Sequence, residues 1–101
     1  MGKPSREKGK RGEREFAKWL TANGHRARRG QQYDGIEGDD VVCPSLAAYH
    51  IEVKRVEALR LKDSLAQAIA DARGRIPVVA HRRNQGEWMI IMRASDWIKT
   101  V

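Results

Sequence analysis

Residues 39–56 read DDVVCPSLAAYHIEVKRV. Val41-Val42-Cys43 forms a short apolar run that Pro44-Ser45 interrupts. Tyr49 to Val56 alternates with period two and reads as a second strand. The gap between them suits an antiparallel hairpin. A three- or five-residue loop centred on Ala47 would set Val42 opposite Glu52 and Asp40 opposite Lys54, with Asp40, Glu52 and Lys54 on one face. A loop of four breaks this parity unless a bulge restores it.

Between Gln31 and Val53 lie five acids (Asp34, Glu37, Asp39, Asp40, Glu52) and no Lys or Arg. Such crowding calls for solvent or a cation to relieve repulsion. Solvent reaches Asp34 and Glu37 in the Gly-rich loop 30–39. It is less available to Asp40, beside Val41-Val42, and to Glu52, between Ile51 and Val53.

Upstream, residues 1–11 are basic, contain glycine and proline, and offer nothing to bury. They predict a flexible arm, with a single domain over residues 12–101. A helix is expected from Gly12, with Phe16, Ala17 and Leu20 on its apolar face and Asn23-Gly24 as its stop. Glu13 precedes those residues by three, four and seven positions, so it shares their face. A carboxylate there needs a partner or a metal; the other reading is a helix-start acid favoured by the dipole. Glu15 points elsewhere, toward solvent. His25 to Arg29 is a weak strand.

Downstream, Asp63 or Ser64 caps a helix with an apolar stripe of Leu65, Ala68, Ile69 and Ala72, ended by Gly74. Ile76–His81 and Trp88–Met92 are strands around the turn 84–87. Ser95 or Asp96 opens a terminal helical turn. The order is α–(β)–β–β–α–β–β–(α), an α/β or α+β domain with a mixed sheet flanked by helices.

The chain has 101 residues and a formal net charge of +7. Residues 1–30 carry ten basic and three acidic side chains, and residues 31–101 ten of each. A basic segment beside a neutral body fits phosphate-backbone binding or a solubilising tail. One cysteine, Cys43, excludes an internal disulfide, and three scattered histidines do not complete a zinc site. The sequence shows no apolar run of membrane-spanning length and no secretory h-region, so a cytoplasmic location is expected.

Three carboxylates and a lysine suit metal-assisted phosphodiester hydrolysis, with hard oxygen ligands for Mg²⁺ and the Val53 carbonyl as a further donor. Asp40 followed by Glu52-Val53-Lys54 resembles the D…(D/E)-x-K signature of the PD-(D/E)xK nuclease superfamily. Lys8-Gly9-Lys10-Arg11-Gly12-Glu13-Arg14 is similar to the K-G-x-x-x-E-R opening of archaeal-type Holliday junction resolvases. The resemblance implies a restriction-endonuclease-like αβββαβ core, with Glu13, Asp40 and Glu52 binding Mg²⁺ (Mn²⁺ substituting) and Lys54 catalytic. It departs where the usual Pro before the aspartate is Asp39. That leaves Asp39 or Asp40 as the ligand, with Asp40 preferred because it directly precedes the apolar pair.

The implied activity is a Mg²⁺-dependent endonuclease acting on four-way or other branched DNA, as a homodimer that makes two symmetric cuts. A nicking or restriction-like nuclease and a non-catalytic DNA-binding module are the alternatives. Candidate DNA contacts are Lys8, Lys10, Arg11, Arg14, Arg26, Arg28 and Arg29, with Gln31, Gln32, His81, Arg82 and Arg83 of lower weight. Gln67 is either a substrate- or lysine-orienting residue or a solvated one. His50 is expected beside the site as a bystander or supporting residue. Trp19, Trp88 and Trp97 read as core or subunit contacts, and Cys43 as a small buried hydrophobe.

Overall fold

The computed structural model describes residues 2–30 and 39–101, with side chains described from residue 9 onward. Helix α1 spans Gly2–Ala22. It begins at Gly2 and not at Gly12, so it takes in the stretch expected as an arm. The intervening Lys, Arg and Glu residues are good helix formers, and Pro4 falls in the first turn, where a missing N–H breaks no intrahelical bond.

Short strands β1 (Arg28–Arg29) and β2 (Val41–Val42) pair antiparallel, with Arg28 opposite Val42 and Arg29 opposite Val41. The Gly30 N–H continues the pairing to the Asp40 carbonyl at 2.8 Å. Only glycine fits there, because a Cβ would lie 2.0 Å from the Asp39 carbonyl oxygen. Loop residues Gln31, Gln32, Asp34 and Glu37 lie outside the described residues.

A 3-10 turn over Pro44–Leu46 leads into β3 (Tyr49–Lys54). Helix α2 (Leu61–Asp71) follows, then β4 (Ile76–His81), β5 (Met89–Ile91), the single turn α3 (Ala94–Trp97) and a 3-10 turn over Ile98–Thr100. Strands β3 and β4 are parallel and β5 is antiparallel to β4, giving a mixed sheet in the order β3-β4-β5. Among the described residues this is an α+β, restriction-endonuclease-like arrangement.

The expected hairpin between β2 and β3 is corrected. Strand β2 takes β1 as its partner, and the Pro44–Leu46 turn carries the chain out of a two-strand ladder. Asp40 therefore lies against Ile51–Val53, not opposite Lys54: its N–H reaches the Ile51 carbonyl at 3.3 Å.

The core lies between α1 and the sheet. Phe16, Ala17 and Leu20 pack on Val41, Cys43, Ile51, Val53, Val78 and Ala80, and the Phe16 ring meets those of Trp19 and Trp88. Trp19 and Trp97 are nevertheless exposed. Beneath α2 the buried layer is more polar. That helix starts at Leu61, ahead of the expected cap, and buries Ser64 and Ala68, with Ala72 just beyond its end. Leu65 is half-buried and Ile69 exposed. Small residues win this face because they let the helix close over His50 and Glu52.

Candidate active site

Strand alternation puts His50, Glu52 and Lys54 on one face of β3, turned toward α2, and Ile51 and Val53 on the other, turned toward α1. Helix α1 crosses the end of β3 at Gly12, where a Cβ would come within 2.5 Å of the Arg55 Cβ. This close approach delivers Glu13 to the strand. The result is a cavity of about 380 Å³ whose lining includes Gly9, Glu13, Asp40, Glu52, Lys54 and Gln67. The four candidate acid and lysine positions thus come together from α1, the residue preceding β2, and β3.

Each carboxylate is held separately. Arg29 Nε donates to Glu13 Oε1 at 2.8 Å. The Val53 N–H donates to Asp40 Oδ2 at 2.8 Å. Glu52, only 4% exposed, has Oε2 at 2.7 Å from His50 Nε2. Burial raises the Glu13 pKa; the Arg29 bond opposes this and nearby Glu52 adds to it. Lys54 Nζ lies 3.5 Å from Gln67 Oε1, the outer limit of a hydrogen bond.

The backbone contributes as well. The Ala48 and Lys54 carbonyls accept from Ile76 and Arg82, on the β4 side of β3, whereas the Ile51 carbonyl accepts from Asp40 on the opposite edge. Alternation therefore turns the Val53 carbonyl to the Asp40 edge. Three carboxylates and this carbonyl are hard oxygen donors of the kind that Mg²⁺ and Mn²⁺ take. Among the described residues, the group of three whose ligand atoms all lie within 4.8 Å of one another is His50, Glu52 and Asp71. Glu13 and Asp40 are outside that group; Arg29 binds the first and the Val53 amide the second.

His50 is more than a bystander in position: it is fully buried, and Nδ1 meets Asp39 Oδ1 at 2.5 Å. Arg75 NH2 reaches the same oxygen at 2.5 Å. The Glu52 hydrogen bond raises the His50 pKa, burial opposes it, and Asp39 reinforces the rise. Burial raises the Asp39 carboxyl, but Arg75 and His50 outweigh it and the net pKa is lowered. With both ring nitrogens facing carboxylates, the ring donates at both. Asp39, read from the sequence as a departure from a motif, is therefore the acceptor that seats this ring.

Several other expectations change. Glu15 is not simply solvated: it accepts from Arg55 and Arg82, each at 3.0 Å. Arg29 is engaged by Glu13. His81 Nε2 donates to the Val56 carbonyl at 2.8 Å, and Arg82 Nε to the Gly86 carbonyl at 2.7 Å, so both brace loops. Arg11, Arg14, Arg26, Arg28 and Arg83 are exposed and Lys10 half-buried; the Lys8 side chain lies outside the described set. Sequence reasoning missed Arg75 because nothing local marks it: its partners lie 26 and 36 positions away.

The family model described as "Phage putative PDDEXK endonuclease" matches residues 4–101. No curated protein and no solved structure matches the chain. With almost its full length inside one family match, the chain belongs to this PDDEXK endonuclease family, a branch of the PD-(D/E)xK nucleases.

Proposed function

We propose that the protein is a divalent-metal-dependent endonuclease selective for branched DNA, of the Holliday junction resolvase type. The observation that carries the reading is the meeting of Glu13, Asp40, Glu52 and Lys54 in one cavity. Glu13, Asp40, Glu52 and the Val53 carbonyl are the groups that would hold Mg²⁺, with Mn²⁺ substituting. When bound, the ion polarises the scissile phosphate and makes hydroxide available at neutral pH.

Lys54 orients the attacking water or neutralises charge developing on the phosphate, and Gln67 steadies its ammonium. Lys8, Lys10, Arg11 and Arg14 on α1, with Arg26 and Arg28, supply phosphate contacts that position the duplex without reading its sequence. Arg29 acts instead on Glu13. Cleavage leaves 5′-phosphate and 3′-hydroxyl ends. A homodimer makes the two symmetric cuts, and the apolar residues exposed on β5 and its neighbours, Met89, Ile90, Trp97 and Ile98, support such an interface. Among the described residues no helix is long and apolar enough to cross a membrane, and the setting we propose is cytoplasmic.

The test is incubation of labelled four-way, flap, nicked and linear DNA with Mg²⁺, with EDTA, and with Lys54→Ala protein. Paired nicks across the four-way junction that vanish with EDTA or Lys54→Ala are the expected result. Equal cutting of linear duplex would favour the restriction-like alternative. Cleavage at full rate in EDTA would overturn the mechanism.

A further inference from the structure

One polar residue on the Glu52–Lys54 face of β3 has no task in the reading above. His50 is fully enclosed, and a buried imidazole is costly unless its nitrogens are satisfied. Here each is satisfied by a carboxylate: Nδ1 by Asp39 at 2.5 Å and Nε2 by Glu52 at 2.7 Å. A neutral ring that merely filled space under α2 would take one donor and one acceptor, whereas this one meets two acceptors. Behind Asp39 stands Arg75, from the turn before β4. Its NH2 binds the Asp39 carboxylate, and its NH1 is anchored on the Tyr49 carbonyl at 3.1 Å.

The four side chains form a line, Arg75–Asp39–His50–Glu52, whose inner end is a carboxylate lining the catalytic cavity. Glutamate has three rotatable bonds, and freezing them on metal binding costs entropy. A ring that holds Oε2 removes that freedom in advance, as partners of metal ligands generally do. We propose that His50, seated by Asp39 and Arg75, is a positioning residue that presets the Glu52 carboxylate for the divalent ion. The inference rests on the nuclease reading for the purpose of that carboxylate. Its geometry is independent of which DNA is cut.

The experiment is calorimetric titration of the full chain with MnCl₂ alone, beside cleavage kinetics, for wild type, His50→Leu and His50→Gln. Mn²⁺ affinity should weaken about 10- to 100-fold in His50→Leu. The turnover number should fall with it, while KM for DNA stays within about threefold, since the phosphate contacts lie elsewhere. His50→Gln keeps an N–H donor and should recover part of both losses.

Equal Mn²⁺ affinity in all three proteins overturns the proposal. So does a nitrogen coupling from the ring in the spectrum of bound Mn²⁺, because His50 would then be a ligand, joined by Glu52 and Asp71. If circular dichroism shows His50→Leu unfolded, Arg75→Gln reads the line from its partly exposed end. A severalfold loss of Mn²⁺ affinity there supports the proposal, and unchanged affinity overturns it. A wild type whose Mn²⁺ binding depends on His50 but which cuts no DNA would refute the nuclease reading and leave the positioning role standing.

Discussion

Lys54 and Gly12 act at the scale of single residues. Lys54 is half-buried, with its ammonium at the cavity and Gln67 Oε1 at its side. Truncation to alanine removes a cation from the reacting region and little packing. Cleavage should drop by about 10²- to 10³-fold, with DNA binding in Ca²⁺ nearly unchanged; a filter-binding assay beside the cleavage time course checks both. Gly12 matters for what it lacks. In Gly12→Ala the new methyl meets Arg55 Cβ, inside any normal contact distance. Overpacking there should cost about 1–3 kcal/mol. Gly9, also on α1, has open space around it, so Gly9→Ala should gain up to about 1 kcal/mol from helix propensity. Urea melts of the two variants should shift in opposite directions.

At the scale of elements, the groups that meet around β3 set how stability depends on pH. The folded pKa of His50 is raised above its unfolded value of about 6.5. Its contribution is therefore complete below that value and is lost as pH climbs through the folded pKa. Asp39 is opposite: its pKa is lowered from about 3.9, so its contribution is present above that value and lost as pH falls through the folded pKa. Glu13, raised mainly by burial, adds a loss on the alkaline side of its unfolded pKa. The metal-free protein should be most stable on the acid side of neutrality and soften toward pH 8. Thermal melts from pH 5 to 8 measure this, and a flat profile would contradict it.

The same elements show how much was legible beforehand. Parity along β3 placed His50 beside Glu52, and the 3.6 period of α1 put Glu13 with Phe16 and Leu20. On α2 the expected Ala68 and Ala72 are buried, but Ser64 joins them in place of the more apolar Ile69, which is exposed, and Leu65, which is half-buried. Burial there depends on the room beneath the helix, which a sequence does not state. The pairing of β2 with β1 was likewise hidden, because strands of two residues carry almost no periodicity.

At the scale of the molecule, charge and surface set the remaining expectations. With a net +7 concentrated in residues 1–30, DNA affinity should fall steeply with salt, at a log–log slope near −0.9 per phosphate neutralised. Binding isotherms at three or more salt concentrations give that slope; a shallow one would count against the basic segment as the contact surface. The edge strand β5 exposes Met89 and Ile90, and α3 exposes Trp97. If this is the dimer surface, Ile90→Glu should shift sedimentation from dimer to monomer and abolish paired cuts while sparing single nicks. Wild-type protein sedimenting as a monomer would remove the dimer from the account.

The residue types pointed to the nuclease family before any fold was known. Acids in a segment without basic residues, a lysine two positions after a strand carboxylate, and a helix acid on an apolar face are local patterns, and local patterns are written in spacing. Folding alone decided who holds each group: Arg29 on Glu13, the Val53 amide on Asp40, His50 on Glu52, Arg75 and His50 on Asp39. The Arg29–Glu13 and Arg75–Asp39 contacts join segments far apart in the chain. They arise from the packing of α1 on β1 and the parallel pairing of β3 with β4, whose register no spacing of residues encodes.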